Sequence, residues 1–244
     1  MPIPDGAVAL LGDAHLRESD GEVPAFVRFL DTLPRDVRTL AILGDLFAVW
    51  IGSPGLVRRH HHEVVTALKS LRARGCSLLY VEGNHDFFLR RLYGPDLFDH
   101  LATDALDLDL AGRRAHLAHG DLVNRRDRQY LAWRALSKNR LFFFAFSLLP
   151  ARTRLGIAHR LEDRLARTNQ NFRRGFPLAE CEAYARRRIR GGADIVVLGH
   201  FHEERRLVFK EGERQGGVFV LPAWRAGHRY LRVEPGADPV FVSA

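Results

Sequence analysis

VALLGDAH, residues 8–15, joins a short apolar run to a glycine and two polar side chains, Asp13 and His15. A run of four or five apolar residues that ends in such a break is typical of a buried β-strand. Side chains that follow the carboxyl ends of parallel strands meet at one edge of a sheet. The pattern predicts an α/β fold with polar groups gathered at that edge. It recurs in LAILGD at 40–45, LLYVEGNHD at 78–86, AHLAHGD at 115–121 and IVVLGHFH at 195–202.

The rest of the chain fits one large α/β domain with an insertion. Amphipathic segments at 23–33 and 56–74 alternate with the apolar runs, which is typical of β-α-β units. The first four motifs are separated by 32 to 39 residues, but the last two are 81 apart. We therefore predict a core of 1–123 and 191–244 and an inserted helical cap of 124–190, with helices at 128–138, 141–149, 154–168 and 178–189. Runs at 206–209, 217–221 and 230–233 predict antiparallel strands that complete a second sheet.

Composition narrows the class of protein. With 244 residues and 46% hydrophobic content the chain can bury a full core. Its two cysteines, Cys76 and Cys181, are far apart, which predicts neither a disulfide framework nor a thiolate metal site. The N-terminus has no signal-peptide pattern, and the longest apolar stretch, 141–150, is half the roughly 20 residues of a membrane span. We expect a cytosolic protein that does not cross the bilayer.

Positive charge is concentrated in the predicted cap. Residues 124–190 contain 17 Lys and Arg against five Asp and Glu, a net charge of +12 within a chain total of +8. Such a segment attracts phosphate-rich partners, whether nucleic acid, anionic lipid headgroups or a phosphorylated substrate. The alternative is a solvated helical surface without a partner.

The polar side chains of the five motifs form a set of metal ligands. Any one of them alone is commonly a turn residue, but their order along five strand ends predicts a site for two divalent ions. Such a pair polarises a phosphoryl oxygen and activates a water for attack, and mixed carboxylate, amide and imidazole donors suit Mn²⁺, Fe²⁺ or Zn²⁺. The predicted ligands are Asp13, His15 and His202 for one ion, Asn84, His119 and His200 for the other, and Asp45 as the bridge.

Three neighbours of these ligands have two interpretations each. His85 and Asp86 could form a catalytic dyad, with the carboxylate orienting an imidazole that assists the leaving oxygen, or His85 could only support Asn84. Asp121 could orient His119 or cap a helix.

Other histidines are not predicted to be ligands. We expect the run at 60–62 to be a solvated helix face and His116 to lie in the core or on the opposite face of its strand. His159 and His228 have no partner that the sequence indicates.

Taken together, the motifs D-x-H, G-D, G-N-H-D, H and G-H-x-H resemble those of the calcineurin-like metallophosphoesterase superfamily. The resemblance covers residues 8–202. It implies two facing mixed β-sheets flanked by helices, and ligand roles that agree with those above.

A narrower resemblance rests on residues 44–52, on the basic aromatic insertion and on residues 220–224. These are similar to the UDP-2,3-diacylglucosamine diphosphatases of lipid A synthesis, which implies release of UMP from a nucleotide-linked glycolipid, generally with Mn²⁺. The basic insertion with its apolar run leads us to expect an enzyme bound peripherally at the anionic inner face of the membrane. The chain departs from that family at His85, where arginine is typical, at Arg225, where histidine is usual, and at 168–174. There, Asn171, Arg173 and Arg174 are predicted to contact the substrate phosphates.

The aromatic run at 142–146 could pack the cap against the body or contact acyl chains. Two other functions compete with lipid hydrolysis. A phosphodiesterase or nuclease would use the basic segment to hold a polynucleotide, although the run lacks the spaced aromatics of a stacking platform. An inactive fold that serves as a binding scaffold is disfavoured because every ligand position is filled.

Overall fold

The computed structural model of the chain describes residues 3–18, 21–171 and 175–244. Its elements follow in chain order: β1 (Ala7–Leu11), α1 (Glu22–Thr32), β2 (Val37–Ile42), β3 (Trp50–Ile51), a 3-10 turn (Pro54–Leu56), α2 (Arg59–Ala73), β4 (Ser77–Val81), β5 (Asp86–Phe87), α3 (Arg90–Leu97), β6 (His100–Ala102), β7 (Ala105–Leu110), β8 (Arg113–Ala118), α4 (Arg128–Ser137), α5 (Arg140–Ser147), α6 (Ala151–Asn171), α7 (Leu178–Arg190), β9 (Ile195–Leu198), β10 (Arg205–Glu211), β11 (Arg214–Val220), β12 (Arg229–Val233) and β13 (Val240–Ser243).

Two mixed sheets form the body. The first has the order β13-β12-β1-β2-β4-β6, and the second has the order β10-β11-β9-β8-β7. In the first, β1, β2, β4 and β6 are parallel, and in the second, β8, β9 and β11 are parallel. The predicted strand at 230–233 is present as β12, but it pairs with β1 in the first sheet instead of joining the second.

The sheets face each other across one apolar layer. Alternate residues of β1 and β4, such as Val8, Leu10 and Leu79, pack against Leu117 and Val197 of the second sheet. The outer face of the first sheet packs on α1 and α2, and that of the second packs on α7. Strand alternation produces this arrangement, because each sheet sends every second side chain to the shared core. The predicted pair of facing sheets flanked by helices is confirmed.

Among the described residues, four helices lie between β8 and β9, as predicted, and α4 and α5 begin at side-chain caps. Asp127 Oδ1 accepts the Tyr130 N–H at the start of α4, and Asn139 does the same for Leu141 and Phe142 at the start of α5. The division into core and cap stays a prediction. The packing of α7 on the second sheet, through Cys181 and Tyr184, favours a cap that ends before α7.

The interpretation of residues 60–62 as a solvated face is wrong for two of the three. His60 and His61 are buried, with ring centroids 5.6 Å and 4.4 Å from that of Phe47. The buried stripe of α2 includes Val64 and Leu68, and positions four and three residues before Val64 lie on the same face of a helix. Only His62 is exposed.

His116 and His228 also have partners. His116 is buried on the face of β8 that packs on α7, one of the two predicted positions, between Asp107 at 2.6 Å and the Tyr184 hydroxyl at 2.8 Å. His228 Nε2 lies 2.9 Å from Glu22 Oε2, a pairing across the whole chain that the sequence did not indicate.

Candidate metal centre

The predicted ligands lie where the carboxyl edges of the two sheets meet. Asp13 follows β1, Asp45 follows β2 and Asn84 follows β4, which are adjacent parallel strands of the first sheet. His119 follows β8 and His200 follows β9, which are adjacent in the second sheet. The facing of the two sheets brings both groups to one place.

One cluster consists of Asp13, His15 and His202. The Nε2 atoms of His15 and His202 lie 3.2 Å apart. Asp13 Oδ1 lies 3.2 Å from the Nε2 of His202 and 3.9 Å from that of His15. One carboxylate with two imidazoles is a donor set that suits a borderline divalent ion.

A second cluster consists of Asn84, His119 and His200, and Asp45 lies between it and the first cluster. Asp45 Oδ2 lies 3.5 Å from His119 Nε2 and 3.9 Å from His15 Nε2. Asn84 Oδ1 lies 3.0 Å from both His119 Nε2 and His200 Nδ1. Because Asp45 reaches an imidazole of each cluster, its placement is that of a bridging carboxylate.

Backbone strain is concentrated at these residues. Asp13, His15, Asp45, His200 and His202 all have positive φ, between 46° and 72°. A residue with a side chain is held in this region only when its surroundings fix it, at a cost of about 1–3 kcal/mol each, and such residues gather at functional sites. The neighbouring loops supply the restraint, since the amides of Asp13 and His15 donate to the carbonyls of Gly44 and Asp45 at 3.1 Å and 2.9 Å.

Glycine is required beside the ligands because the loops touch. A Cβ on Gly83 would lie 2.1 Å from Asp45 Oδ1, and one on Gly44 would lie 2.6 Å from the Gly83 nitrogen. Gly44 also has a φ of 82°. Close approach of backbone to ligand thus explains the glycines of the G-D and G-N motifs.

Backbone carbonyls orient two imidazoles. Leu43 O lies 2.8 Å from His119 Nδ1, and Ala48 O lies 2.6 Å from His85 Nδ1. A carbonyl oxygen only accepts, so each Nδ1 carries a proton and each Nε2 faces Asp45. This is how a metal-binding histidine is usually held.

The electrostatics of the site fit a cation. Burial lowers the pKa of His15 to about 3 and that of His200 to about 4, which keeps both in the neutral form that binds metal. Burial acts in the same direction on His119, but the carboxylates of Asp45 and Asp13 outweigh it and raise its pKa to about 9. Asp13 Oδ1 is buried and has no hydrogen bond of good geometry with the described residues. A divalent ion would satisfy this oxygen and replace the proton on His119.

The predicted His85–Asp86 dyad is not formed. Asp86 Oδ2 accepts the amides of Gly83 and Asp45 at 2.8 Å and 2.9 Å and the Tyr80 hydroxyl at 2.9 Å. Oδ2 of Asp86 is therefore occupied by these three donors, Oδ1 has no hydrogen bond with the described residues, and Ala48 orients His85 instead. Burial, and then repulsion from Asp45, raise the pKa of Asp86 to about 7. His85 remains at the centre, with Nε2 3.7 Å from Asp45 Oδ2.

Asp121 has neither of its two predicted roles. Its Oδ2 accepts the Tyr130 hydroxyl and lies 2.7 Å from Arg134 Nε, so it anchors α4. Burial would raise the pKa of Asp121, but the charges of His119 and Arg134 outweigh it and lower that pKa to about 2. The helix cap is Asp127 instead.

A second buried ion pair joins α4 to the loop before Asn84. Lys138 Nζ lies 3.3 Å from Glu82 Oε2. Neither this pair nor that of Arg134 was predicted, because nothing in the local sequence relates these residues.

The predicted substrate contacts have no placement. Arg173 and Arg174 lie outside the described residues, and of Asn171 only its position at the end of α6 is described.

A strand-edge cluster of carboxylate, amide and imidazole groups between two facing sheets defines a metal-dependent phosphoesterase. The pattern of the family described as calcineurin-like phosphoesterase matches residues 6–204, and the chain belongs to this family. Membership implies a requirement for divalent metal ions.

Its similarity extends to a particular group of relatives, each named UDP-2,3-diacylglucosamine hydrolase. The protein from Ralstonia nicotianae is 31% identical over 96% of this chain and 93% of its own length. Those from Pseudomonas paraeruginosa and Aeromonas salmonicida are 29% and 30% identical, over 91% and 86% of this chain and 97% and 87% of theirs. Among solved structures, a predicted phosphoesterase from Streptococcus pneumoniae aligns with 98% of this chain and 89% of its own at 14% identity and a TM-score of 0.43.

Proposed function

We propose that this phosphoesterase hydrolyses UDP-2,3-diacylglucosamine to UMP and 2,3-diacylglucosamine 1-phosphate with two divalent ions, and that these ions are Mn²⁺. The observation that carries this proposal is an exposed apolar helix that packs on Phe88, four residues after the ligand Asn84. The names of the relatives support the same substrate.

The helix in question is α5. Phe143 points inward and its ring lies 4.1 Å, centroid to centroid, from that of Phe88, four residues after Asn84. Leu141 and Phe144, in contrast, are 80% and 58% exposed. One face of α5 is therefore fixed beside the site and another is left open to hydrocarbon. Exposed apolar patches of this kind mark interaction surfaces.

The charge around α5 supports a phosphate-bearing lipid. The 124–190 segment has a net charge of +12, which favours both a diphosphate headgroup and an anionic membrane surface. Among the described residues no helix is long and apolar enough to span a membrane. We place the protein in the cytoplasm, at the inner face of the membrane, bound peripherally.

Each group at the centre has a role in this proposal. One ion would be held by Asp13, His15 and His202 and the other by Asn84, His119 and His200, with Asp45 shared. The bound ions would supply a hydroxide and neutralise phosphoryl charge. His85, with Nδ1 held by Ala48, directs Nε2 into the site, where it would contact a phosphoryl or leaving oxygen.

UMP release tests the proposal. Purified protein with Mn²⁺ is given UDP-2,3-diacylglucosamine and, in parallel, UDP-N-acetylglucosamine, beside the Asp45→Asn variant to exclude a contaminant. We expect release from the acylated substrate by the wild type alone. Equal cleavage of both substrates would contradict a lipid role for α5. No cleavage of either, with salt-sensitive binding to DNA or RNA, would favour the nuclease alternative instead.

A further inference from the structure

The loop that contains Asp13 and His15 is held from the far end of the chain. The Trp224 amide donates to the carbonyl of Asp13 at 3.3 Å. Arg225 donates from Nε to the carbonyl of Ala14 at 3.1 Å and from Nη2 to that of His15 at 2.6 Å. Three consecutive carbonyls are thus satisfied by two consecutive residues about 210 positions away. The guanidinium of Arg225 accounts for two of the three.

These bonds restrain a strained segment. The φ angles of Asp13 and His15 are 52° and 46°, and such conformations persist only when several contacts fix them. The amides of the loop are held by Gly44 and Asp45 on one side. On the carbonyl side, Arg225 fixes the loop by donating to the carbonyls of Ala14 and His15.

Arg225 is itself placed by a buried neighbour. The Trp224 ring is 1% exposed and packs between Phe26 and Phe29, at centroid distances of 5.1 Å and 4.8 Å. The backbone at 225 is therefore anchored to the core of the first sheet. The rigid guanidinium fork can meet two carbonyls at once, which a lysine ammonium on a flexible stem does not do with the same geometry.

We propose that Arg225 is a positioning residue that holds Asp13 and His15 in the geometry required to bind metal. It acts through the backbone and touches neither the ion nor the substrate. The proposal rests on the metal-binding role of this loop, and it is independent of which phosphate compound is hydrolysed. Removal of a partner that orients a metal ligand in this way typically lowers metal affinity or activity by about 10- to 100-fold.

Mn²⁺ titration followed by electron paramagnetic resonance tests this role directly. The variants are Arg225→Gln, Arg225→Lys and, as the matched control, Arg113→Gln. Arg113 also donates to a loop carbonyl, that of Ala237, at 2.8 Å. Arg113 is the first residue of β8, whereas His119 follows the last, so this bond is at the opposite end of the strand from the metal centre. Thermal unfolding of the metal-free proteins is measured alongside.

We expect Arg225→Gln to bind Mn²⁺ at least about tenfold more weakly than the wild type. Arg113→Gln should bind normally, and both variants should unfold at similar temperatures. Arg225→Lys, which keeps the charge and loses the fork, should also bind more weakly. Unchanged affinity in Arg225→Gln would overturn the proposal, as would wild-type affinity in Arg225→Lys or an equal loss in Arg113→Gln. Because the titration uses Mn²⁺ alone, it separates this inference from the substrate assignment.

Discussion

Lys138 and Glu82 form a buried ion pair between α4 and the loop that leads to Asn84, and Lys138→Met removes only its positive end. The two side chains are 9% and 4% exposed, and Nζ lies 3.3 Å from Oε2. The variant leaves the Glu82 carboxylate buried with the Leu89 amide, 2.8 Å from Oε1, as its remaining donor. Removing one partner of a buried pair costs about 3–5 kcal/mol. The Leu89 bond remains, so we expect the lower end, about 3 kcal/mol.

A double variant separates charge from packing. In Lys138→Met with Glu82→Gln, both charges are removed and the Gln oxygen can still accept the Leu89 amide. Replacement of a whole buried pair is often nearly neutral, so this protein should lie within about 1 kcal/mol of the wild type. The double variant should therefore be about 2 kcal/mol more stable than Lys138→Met alone.

Urea denaturation followed by tryptophan fluorescence measures these differences. For a chain of this size, 3 kcal/mol corresponds to a fall in melting temperature of roughly 6–12 °C. If Lys138→Met unfolds within 1 kcal/mol of the wild type, the ion pair contributes nothing to holding α4. If the double variant is as unstable as the single one, packing of the lysine stem is responsible and the charge argument is refuted.

Three further outcomes are expected. Burial, and then the charges of His60 and Arg58, lower the pKa of His61 to about 2, so the unfolded chain binds a proton below pH 6.5 that the folded protein does not. Stability therefore decreases as the pH is lowered below 6.5. Between pH 6.5 and 4.5 the free energy of unfolding of the wild type should fall by roughly 2–3 kcal/mol more than that of His61→Gln, measured by urea denaturation. Equal losses would refute this. Gly83→Ala should weaken Mn²⁺ binding at least about tenfold, because its Cβ would displace Asp45, whereas Gly156→Ala, whose Cβ meets nothing within 4 Å, should bind normally. Leu141→Ser with Phe144→Ser should reduce UMP release from the acylated substrate about tenfold at unchanged melting temperature, while Val208→Ser, at a site 54% exposed on β10, should not.

The order of buried strands and the residues that follow them could be read from local sequence. A buried strand must be apolar and a turn at its end must be polar or glycine, so VALLGDAH and its four counterparts carry that information within nine residues. The two facing sheets and the convergence of Asp13, Asp45 and Asn84 follow from this. The four inserted helices were predicted for the same reason, since amphipathic periodicity and caps are also local signals.

Pairings between distant residues could not be read in this way. The Arg225 bonds to the metal loop, the ion pairs that hold α4 and the His228–Glu22 contact each join residues that no local pattern relates. Burial of His60 and His61 depends on which face of α2 meets Phe47, which packing alone specifies. The Asp86 carboxylate was predicted to orient His85 because the two are neighbours in sequence, but its Oδ2 accepts two loop amides and the Tyr80 hydroxyl of β4 instead. The linear sequence specifies which groups reach the sheet edge, and the packing of the loops, where each buried polar atom must find a donor or acceptor, assigns their partners.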